Sequence, residues 1–238
     1  MRLSLVVPAF NEEEVIEGSI RRIDSVLADL DLRYEIVVGD DGSSDETVER
    51  VGRLGLDSVR VVRREHRGKG AILTAALREA RGAYTGFIDA DLEIDIRYIG
   101  EFLTALDEGF DAAIASKNLE PELARDRKLT RRFTTAGYNF LVRRLFRTGI
   151  SDHQAGFKLF RREALRAVLP KVRASGWLWD TEVLVALLDE GGRVREIPVR
   201  TESRREGHVD VVSTSWNMFR DVWKLYRANG SGEGECRG

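Results

Sequence analysis

Short apolar runs alternate with amphipathic stretches through the first half of the chain. LSLVVPAF (3–10) predicts a strand, and a helical pattern follows from Glu12 to about Leu30, with apolar residues three and four positions apart. YEIVVGDDGSSDET (34–47) predicts a strand, a turn and the start of a helix that Ser44 or Asp45 can cap. Three more predicted strands lie at 58–62, 83–91 and 110–116, and two more predicted helices at 68–80 and 96–109. This alternation indicates an α/β fold with a mostly parallel sheet between layers of helices.

The alternation ends after Ser116. The remaining predicted elements are a basic helix (120–148), a strand (155–162), a helix (177–191), a strand (194–199) and a helix (215–228). We expect one domain over residues 1–228, with the halves 1–116 and 117–228, followed by a flexible tail at 229–238.

Composition and charge exclude several classes of protein. The chain has 238 residues, of which 42% are hydrophobic and 33% charged, with a net charge of −2. This balance gives no general attraction to nucleic acid. One cysteine, Cys236, excludes a disulfide framework. No signal peptide is recognisable, and no run of about 18 apolar residues could cross a bilayer. We therefore expect a soluble or peripheral protein.

Acidic residues crowd the end of the strand predicted at 83–91. Asp89, Asp91 and Glu93 alternate in FIDADLEID, so in an extended segment their side chains would point the same way. Ligands of open α/β sheets gather beyond the carboxyl ends of the strands. Hard carboxylate oxygens suit Mg²⁺ or Mn²⁺. The alternative is a solvated acidic loop in which Asp95 caps a helix, and the spacing leaves both interpretations open.

Polar groups also follow the other predicted strands. Asp40 and Asp41 cannot both be buried without a charged or hydrogen-bonding partner, and one could accept a bond from a nucleobase. The same Asp-Gly-Ser sequence is a common turn. Lys69 in RGKG precedes a helix, where it and backbone N–H groups could meet a diphosphate, although a solvated cap residue would look the same.

Taken in order, VPAFNEE, VVGDDGSSDET, RGKGA and FIDADLE resemble the family 2 glycosyltransferases of the GT-A fold, a Rossmann-like fold. DHQAGFKLFRREA and WLWDTEVL resemble the branch that contains dolichyl-phosphate mannose synthase and dolichyl-phosphate glucosyltransferase. The resemblance covers about residues 3 to 212. It implies a nucleotide-sugar-binding half at 1–116 and an acceptor-binding half with interfacial helices at 117–228.

The resemblance also implies residue roles. Asp89, Asp91 and Glu93 would hold Mg²⁺ or Mn²⁺, and Asp40 would contact the base. The positions that match the family's nucleotide-sugar-binding motifs are Pro8, Phe10, Asn11, Glu12, Asp40, Asp41, Gly68, Lys69, Asp89 and Ala90.

A second group of positions supplies candidates for catalysis and for binding the acceptor phosphate, and among them Arg131 matches a basic position of the family. The catalytic candidates are Asp91, Asp180, Glu182 and Arg131. The candidates for the acceptor phosphate are Lys117, Arg131, Arg132, Arg204 and Arg205. Lys117 replaces the family's arginine and loses its bidentate fork. EGHVDV (206–211) also departs from the family pattern, which leaves the role of His208 undefined.

Asp180 and Glu182 have more than one interpretation. They could act as a base or bind hydroxyls of the donor sugar, or they could simply favour the first turn of a helix. The sequence predicts that His153 is an ordinary polar loop residue.

The implied reaction is metal-dependent, inverting transfer of a hexose from a nucleotide sugar of the GDP-mannose or UDP-glucose type to a polyprenyl phosphate. A phosphate monoester has a second pKa of about 6, so this acceptor arrives ionised and needs no general base. Two alternatives stay open: transfer to a glycan or protein hydroxyl, with Asp180 or Glu182 as base, and a non-catalytic nucleotide-sugar-binding module.

The region predicted as the last helix suggests how the chain could meet a lipid. Trp216, Phe219, Val222, Trp223 and Tyr226 form one aromatic face, which suits either a headgroup boundary or the protein's own core. We expect a peripheral protein on the cytoplasmic face of a membrane, with a membrane-anchoring partner as an additional possibility.

Overall fold

The computed structural model describes residues 1–119, 129–201, 222–223 and 225–227. Over residues 129–136 it describes the helix but not the side chains. Arg204, Arg205, His208, Trp216 and Phe219 lie outside the described residues, and so do the side chains of Arg131 and Arg132.

Seven strands form one sheet. Their bounds are β1 Leu3–Ala9, β2 Tyr34–Asp40, β3 Val59–Arg63, β4 Tyr84–Ile88, β5 Ala112–Ser116, β6 Phe157–Arg161 and β7 Val194–Pro198. They lie in the order β3-β2-β1-β4-β6-β5-β7. Only β6 runs antiparallel to its neighbours, β4 and β5. The mostly parallel sheet predicted from the alternation of strands and helices is confirmed.

Helices cover both faces of this sheet. Their bounds are α1 Ile16–Ala28, α2 Thr47–Arg53, α3 Lys69–Glu79, α4 Ile99–Asp107, α5 Leu129–Phe146, α6 Arg162–Val168 and α7 Trp179–Asp189. One apolar core lies against α1 and α4, where Phe102 stacks on Phe157 with ring centroids 4.2 Å apart. The other lies against α3, α6 and α7, where Phe87 meets the edge of Trp179. Burial on both faces explains the continuous apolar runs of the strands.

The first helix begins at Ile16 and not at Glu12, as its periodicity predicted. Asn11 has a φ of 54°, which turns the chain before a helix can start. The Glu12 N–H then donates to Thr47 Oγ1 at 2.8 Å and the Glu13 N–H to Asp45 Oδ2 at 3.1 Å. These bonds to the loop after β2 compete with helix formation.

The strand predicted over 83–91 ends at Ile88. Asp89 begins a turn, its backbone N–H donating to the Gly156 carbonyl at 2.9 Å, and Leu92 has a φ of 48°. The expectation that Asp89, Asp91 and Glu93 share one extended segment is therefore wrong. A 3-10 turn at Ile96–Tyr98 then leads into α4.

Helix α6 and the 3-10 turn Leu169–Lys171 were not predicted. Both are short, but Leu165, Val168 and Leu169 are buried against the second core. Tertiary packing therefore stabilises a segment whose pattern is too short to be read from the sequence.

Candidate active site

The predicted nucleotide residues of the first two strands lie together at the carboxyl edge of the sheet. Pro8 is in β1 beside Gly39 of β2. The Asn11 N–H donates to Ser43 Oγ and the Ser44 N–H donates to Asn11 Oδ1, each at 2.9 Å. These bonds join the loops after β1 and β2 into one rigid rim.

Asp40 is fully buried at the end of β2. Its carboxylate forms an ion pair with Arg63 Nε at 3.1 Å and accepts a bond from the Ser43 N–H at 3.2 Å. The expectation that this buried aspartate has a partner is confirmed.

Asp41 shapes the loop that leads to α3. Its carboxylate accepts bonds from the Arg67 and Gly68 N–H groups, both at 2.9 Å, and lies 2.8 Å from His66 Nδ1. The exposed Phe10 ring stacks on His66 with centroids 4.1 Å apart. Asp41 thus connects an aromatic pair on the rim to the Gly68 backbone.

Gly68 has a φ of 102°, a backbone conformation that residues with a side chain rarely adopt. A Cβ there would also come within 2.7 Å of the Ser175 carbonyl oxygen. The glycine places Lys69 at the start of α3 beside the end of β4.

Lys69 binds the first carboxylate of the D-x-D pair, Asp89 and Asp91. Its Nζ lies 2.6 Å from Asp89 Oδ1, and 5.0 Å and 5.2 Å from the ring centroids of Phe87 and Trp177. The interpretation of Lys69 as a solvated cap residue is therefore wrong, because its side chain is only 15% exposed.

Negative charge exceeds positive charge around Lys69. Burial alone would lower the pKa of the Lys69 ammonium, but Asp89, Asp180 and Asp91 outweigh it and raise the pKa. Burial raises the pKa of the Asp89 carboxyl, and the charges of Asp180 and Asp91 add to this despite the bond with Lys69. A further cation near these carboxylates would be stabilised.

The three predicted metal ligands do not converge. Glu93 Oε2 binds Lys117 Nζ at 2.7 Å, and Asp91 Oδ1 accepts a bond from the Glu93 N–H at 3.0 Å. Within the part of the chain that is described, no three Asp, Glu, His or Cys side chains form a group suited to a metal ion. Asp95 caps the 3-10 turn by accepting a bond from the Arg97 N–H, as the alternative interpretation of this loop expected.

Asp89 and Asp91 nevertheless fit a divalent cation. Mg²⁺ in nucleotide enzymes is commonly held by one or two carboxylates, with substrate phosphates and water completing its shell. The two carboxylates supply hard oxygen ligands, and the excess of negative charge around Lys69 favours a cation. Gly156 leaves the room for this pair, because a Cβ at Gly156 would overlap Asp89 Oδ2.

Asp180 meets a buried lysine that sequence reasoning missed. Lys158, in β6, is 0% exposed, and its Nζ donates to Asp180 Oδ1 at 2.6 Å and to the Ala155 carbonyl at 2.7 Å. Lys158 Nζ also lies 5.3 Å from the Phe87 ring centroid. The signal was present in the sequence, since a charged residue interrupts an otherwise apolar strand in GFKLF.

Glu182 does not lie beside Asp180, because neighbours two positions apart on a helix face different directions. Its Oε2 accepts bonds from the Arg173 N–H at 2.9 Å and the Ala174 N–H at 2.7 Å. It therefore anchors the segment before α7, residues 172–178, which we call the tryptophan loop.

Lys117 is buried at the end of β5, and its backbone N–H donates to Asp152 Oδ2 at 3.2 Å. This links it to the loop 151–154, whose Ser151 N–H and hydroxyl donate to the carboxylate of Glu196 on β7. Of the five residues predicted to bind the acceptor phosphate, Lys117 is the one whose side chain is described.

His153 is not the ordinary loop residue that the sequence suggested. It is 0% exposed, with Nε2 2.9 Å from Thr148 Oγ1 and Nδ1 3.1 Å from Asn139 Oδ1. Burial, together with the charges of Lys158 and Arg143, lowers the pKa of His153 to about 3. The imidazole is therefore neutral at physiological pH.

The family model "Glycosyl transferase family 2" matches residues 4–169. The chain belongs to glycosyl transferase family 2. This confirms the resemblance seen in the strand-end motifs, and with it the prediction of an enzyme that transfers glycosyl groups.

Similar proteins include members of the branch predicted from the sequence. The chain is 36% identical to glycosyltransferase AglD of Haloferax volcanii over 94% of its length, but it spans only 38% of that protein. It is 32% identical to dolichyl-phosphate beta-glucosyltransferase of Drosophila melanogaster, covering 95% of this chain and 74% of that one. The corresponding enzyme of Dictyostelium discoideum is 27% identical, with coverages of 94% and 73%.

Solved structures confirm the GT-A fold. Glucosyl-3-phosphoglycerate synthase of Mycobacterium tuberculosis in complex with UDP matches with a TM-score of 0.73 and 23% identity, over 94% of this chain and 80% of that one. The same enzyme with Mn²⁺, UDP and glucosyl-3-phosphoglycerate matches with a TM-score of 0.69 and 25% identity, over 94% and 78%.

Proposed function

We propose that this family 2 enzyme transfers glucose from UDP-glucose to a polyprenyl phosphate such as dolichyl phosphate, by a metal-dependent single displacement with inversion. Relatives named dolichyl-phosphate beta-glucosyltransferases support the acceptor and the sugar. The similar synthase that was crystallised with UDP and Mn²⁺ supports the nucleotide and the type of metal.

The bonds that Asp180 and Glu182 form within the protein support a phosphate acceptor over a hydroxyl acceptor. Asp180 is bound to a buried ammonium, Lys158, and Glu182 accepts two backbone N–H bonds. Both side chains are thus already engaged by groups of the protein itself, whereas a general base must lie within hydrogen-bond reach of the proton that it abstracts. A hydroxyl acceptor needs a general base, whereas a phosphate monoester is already ionised near neutral pH. The arrangement therefore favours the phosphate.

The donor would lie along the edge formed by the loops after β1, β2 and β4. Phe10, Asn11 and Glu12 line the first loop, Asp40 and Asp41 the second, and Gly68 opens α3. The Ala90 carbonyl accepts a bond from Ser19 Oγ at 2.5 Å, which fixes the backbone between the D-x-D carboxylates. These residues would hold the base and the diphosphate.

The cation would be held by Asp89 and Asp91. When bound, it offsets the negative charge that develops on the departing diphosphate. Glu93 would contribute through its bond to Lys117, which would present positive charge toward the acceptor phosphate together with Arg131, Arg132, Arg204 and Arg205. Such a cradle guides the phosphate to the anomeric carbon.

A surface around the C-terminal part of α5 supports docking to a membrane. Phe140 is 65% exposed, Trp223 54% and Tyr226 40%. Arg143, Arg144 and Arg147 are exposed on the same helix or directly after it. Aromatic and basic side chains together suit an anionic lipid surface, such as the cytoplasmic leaflet. No helix in the described segments is long and apolar enough to cross a membrane.

The side chains of the predicted aromatic face differ in their burial. Val222, on the predicted aromatic face, is buried with Tyr138 and Val142 in a small core, whereas Trp223 and Tyr226 remain exposed. At the described positions of this region, Val222 therefore packs against the protein, and Trp223 and Tyr226 leave aromatic rings available to a partner surface.

The deciding experiment is a transfer assay with purified protein, dolichyl phosphate, Mn²⁺ or Mg²⁺, and radiolabelled UDP-glucose or GDP-mannose. Transfer of label from UDP-glucose into the organic phase, abolished by EDTA, is the expected result. No transfer to dolichyl phosphate, under conditions in which the protein binds the nucleotide sugar, would refute the proposal and favour a hydroxyl acceptor or a binding module.

Asp91→Asn separates catalysis from folding in the same assay. It keeps the size of the side chain but removes a charged ligand, so we expect at least a hundredfold loss of transfer with an unchanged melting temperature. Asp29→Asn makes the same chemical change at an exposed position after α1 and should leave transfer unaltered.

A further inference from the structure

Trp177 is exposed beside the candidate active site. Its side chain is 59% exposed, whereas that of Trp179, two positions later, is 0% exposed. Leaving an indole in water forgoes the favourable free energy of burying a large apolar surface. An exposed large apolar group at such a place is therefore informative.

The tryptophan loop is fixed on two sides. Glu182 accepts bonds from the backbone N–H groups of Arg173 and Ala174, and the Ala71 N–H of α3 donates to the Ser175 carbonyl at 3.1 Å. The backbone that leads to Trp177 is thus anchored.

Close packing beneath the loop adds to this constraint. A Cβ at Gly70 would come within 2.6 Å of Trp179 Cβ and 2.8 Å of the Ala174 carbonyl oxygen. Together with Gly68 under Ser175, this glycine lets the loop lie directly on the start of α3. The position of Trp177 relative to Lys69 is therefore set by backbone contacts.

The indole lies at the D-x-D end of the site. Lys69 Nζ is 5.2 Å from the Trp177 ring centroid and 2.6 Å from Asp89 Oδ1. The Lys69 ammonium is therefore a neighbour of both the ring and the Asp89 carboxylate, which would hold the cation that binds the diphosphate. The hexose of a nucleotide sugar is attached directly to that diphosphate.

We propose that Trp177 is the platform on which the donor hexose stacks. One face of a pyranose ring presents C–H groups, which pack on an aromatic surface, while its hydroxyls remain available to polar groups. Binding sites for such ligands combine aromatic walls with a few placed polar groups. This inference rests on the proposed function, because it takes the donor to be a nucleotide sugar.

The test compares UDP-glucose with UDP, measured by calorimetry in the presence of Mn²⁺, on the wild type, Trp177→Ala and Trp177→Phe. We expect Trp177→Ala to weaken UDP-glucose binding about fivefold, a typical aromatic contribution, while UDP binding changes less than twofold. Trp177→Phe should restore most of the loss, because it keeps an aromatic face.

Three results would overturn the inference. UDP-glucose affinity could be unchanged in Trp177→Ala, or UDP could be weakened equally, which would indicate a role in the nucleotide site. A raised KM for dolichyl phosphate with unchanged donor affinity would assign the ring to the lipid instead. A wild type that binds UDP but does not bind UDP-glucose at all would refute the proposed donor, which is a distinct result from a failure confined to the Trp177 variants.

Discussion

Acid should destabilise this protein through His153 in particular. The imidazole is fully buried between Thr148 and Asn139, and burial with the charges of Lys158 and Arg143 lowers its pKa from 6.5 to about 3. In the unfolded chain the pKa returns to about 6.5. Since the folded-state pKa is lowered, the unfolded state binds more protons, and the stability present above pH 6.5 is lost as the pH falls toward 3.

The size of the effect follows from the two pKa values. At pH 5.0 the unfolded imidazole is protonated in almost every molecule while the folded one stays neutral. The difference in protonation free energy is about 2 kcal/mol, whereas at pH 7.5 it is close to zero. His153 alone should therefore lower the free energy of unfolding by about 2 kcal/mol between these two pH values.

Urea unfolding followed by tryptophan fluorescence measures this quantity. The free energy of unfolding is determined at pH 7.5 and pH 5.0 for the wild type and for His153→Gln, which cannot be protonated. Carboxylates that titrate in this range contribute to both proteins and cancel in the comparison. The wild type should lose about 2 kcal/mol more than the variant on acidification. Equal losses in the two proteins would show that His153 is not held neutral by its surroundings, and would refute the reasoning.

Three further outcomes are expected. Gly156→Ala should lower transfer at least about tenfold, because its Cβ would displace the Asp89 carboxylate. The control Gly18→Ala lies inside α1 with nothing within 4 Å of the added Cβ, so it should keep full activity and gain up to about 1 kcal/mol of stability. Equal activity of the two variants would contradict the geometry. Lys158→Met should lower the free energy of unfolding in urea by about 3 kcal/mol, because it leaves Asp180 buried and unpaired. Adding Asp180→Asn should recover part of that loss, so additive effects of the two substitutions would argue against the ion pair. The rate of transfer to dolichyl phosphate at subsaturating acceptor should rise with pH around the acceptor's second pKa of about 6 and then level off, while a continued rise toward pH 9 would indicate a general base in the enzyme.

The sequence was informative about the fold because the strands are buried on both faces. Continuous apolar runs such as that at Ile36–Val38 can be recognised without knowing which strand lies beside which. The strand order was not accessible in this way. Nothing in the pattern of β6 reveals that it runs antiparallel between β4 and β5, because this depends on long-range pairing.

Within the site, residue types were predictable and their partners were not. Motifs pointed to Asp89, Asp91 and Lys69 one by one, but the bond between Lys69 and Asp89 joins the start of α3 to the turn after β4. Glu93 was predicted as a metal ligand from its spacing, yet the positive φ of Leu92 breaks the extended geometry on which that prediction depended. Glu182 and Trp177 acquire their roles only through the anchored tryptophan loop, which periodicity cannot reveal.

Because β6 lies between β4 and β5, these two strands cannot complete their pairing early in the synthesis of the polypeptide. While residues 1–116 emerge during synthesis, β5 has neither of its neighbours, because both β6 and β7 come later in the chain. β4 meanwhile exposes an unpaired edge, a feature that promotes association between nascent chains. The strand that closes this edge also delivers Lys158 to Asp180. Completion of the sheet and assembly of the charged site therefore both require residues that follow Ser116, and a fragment of residues 1–116 should aggregate when it is expressed alone.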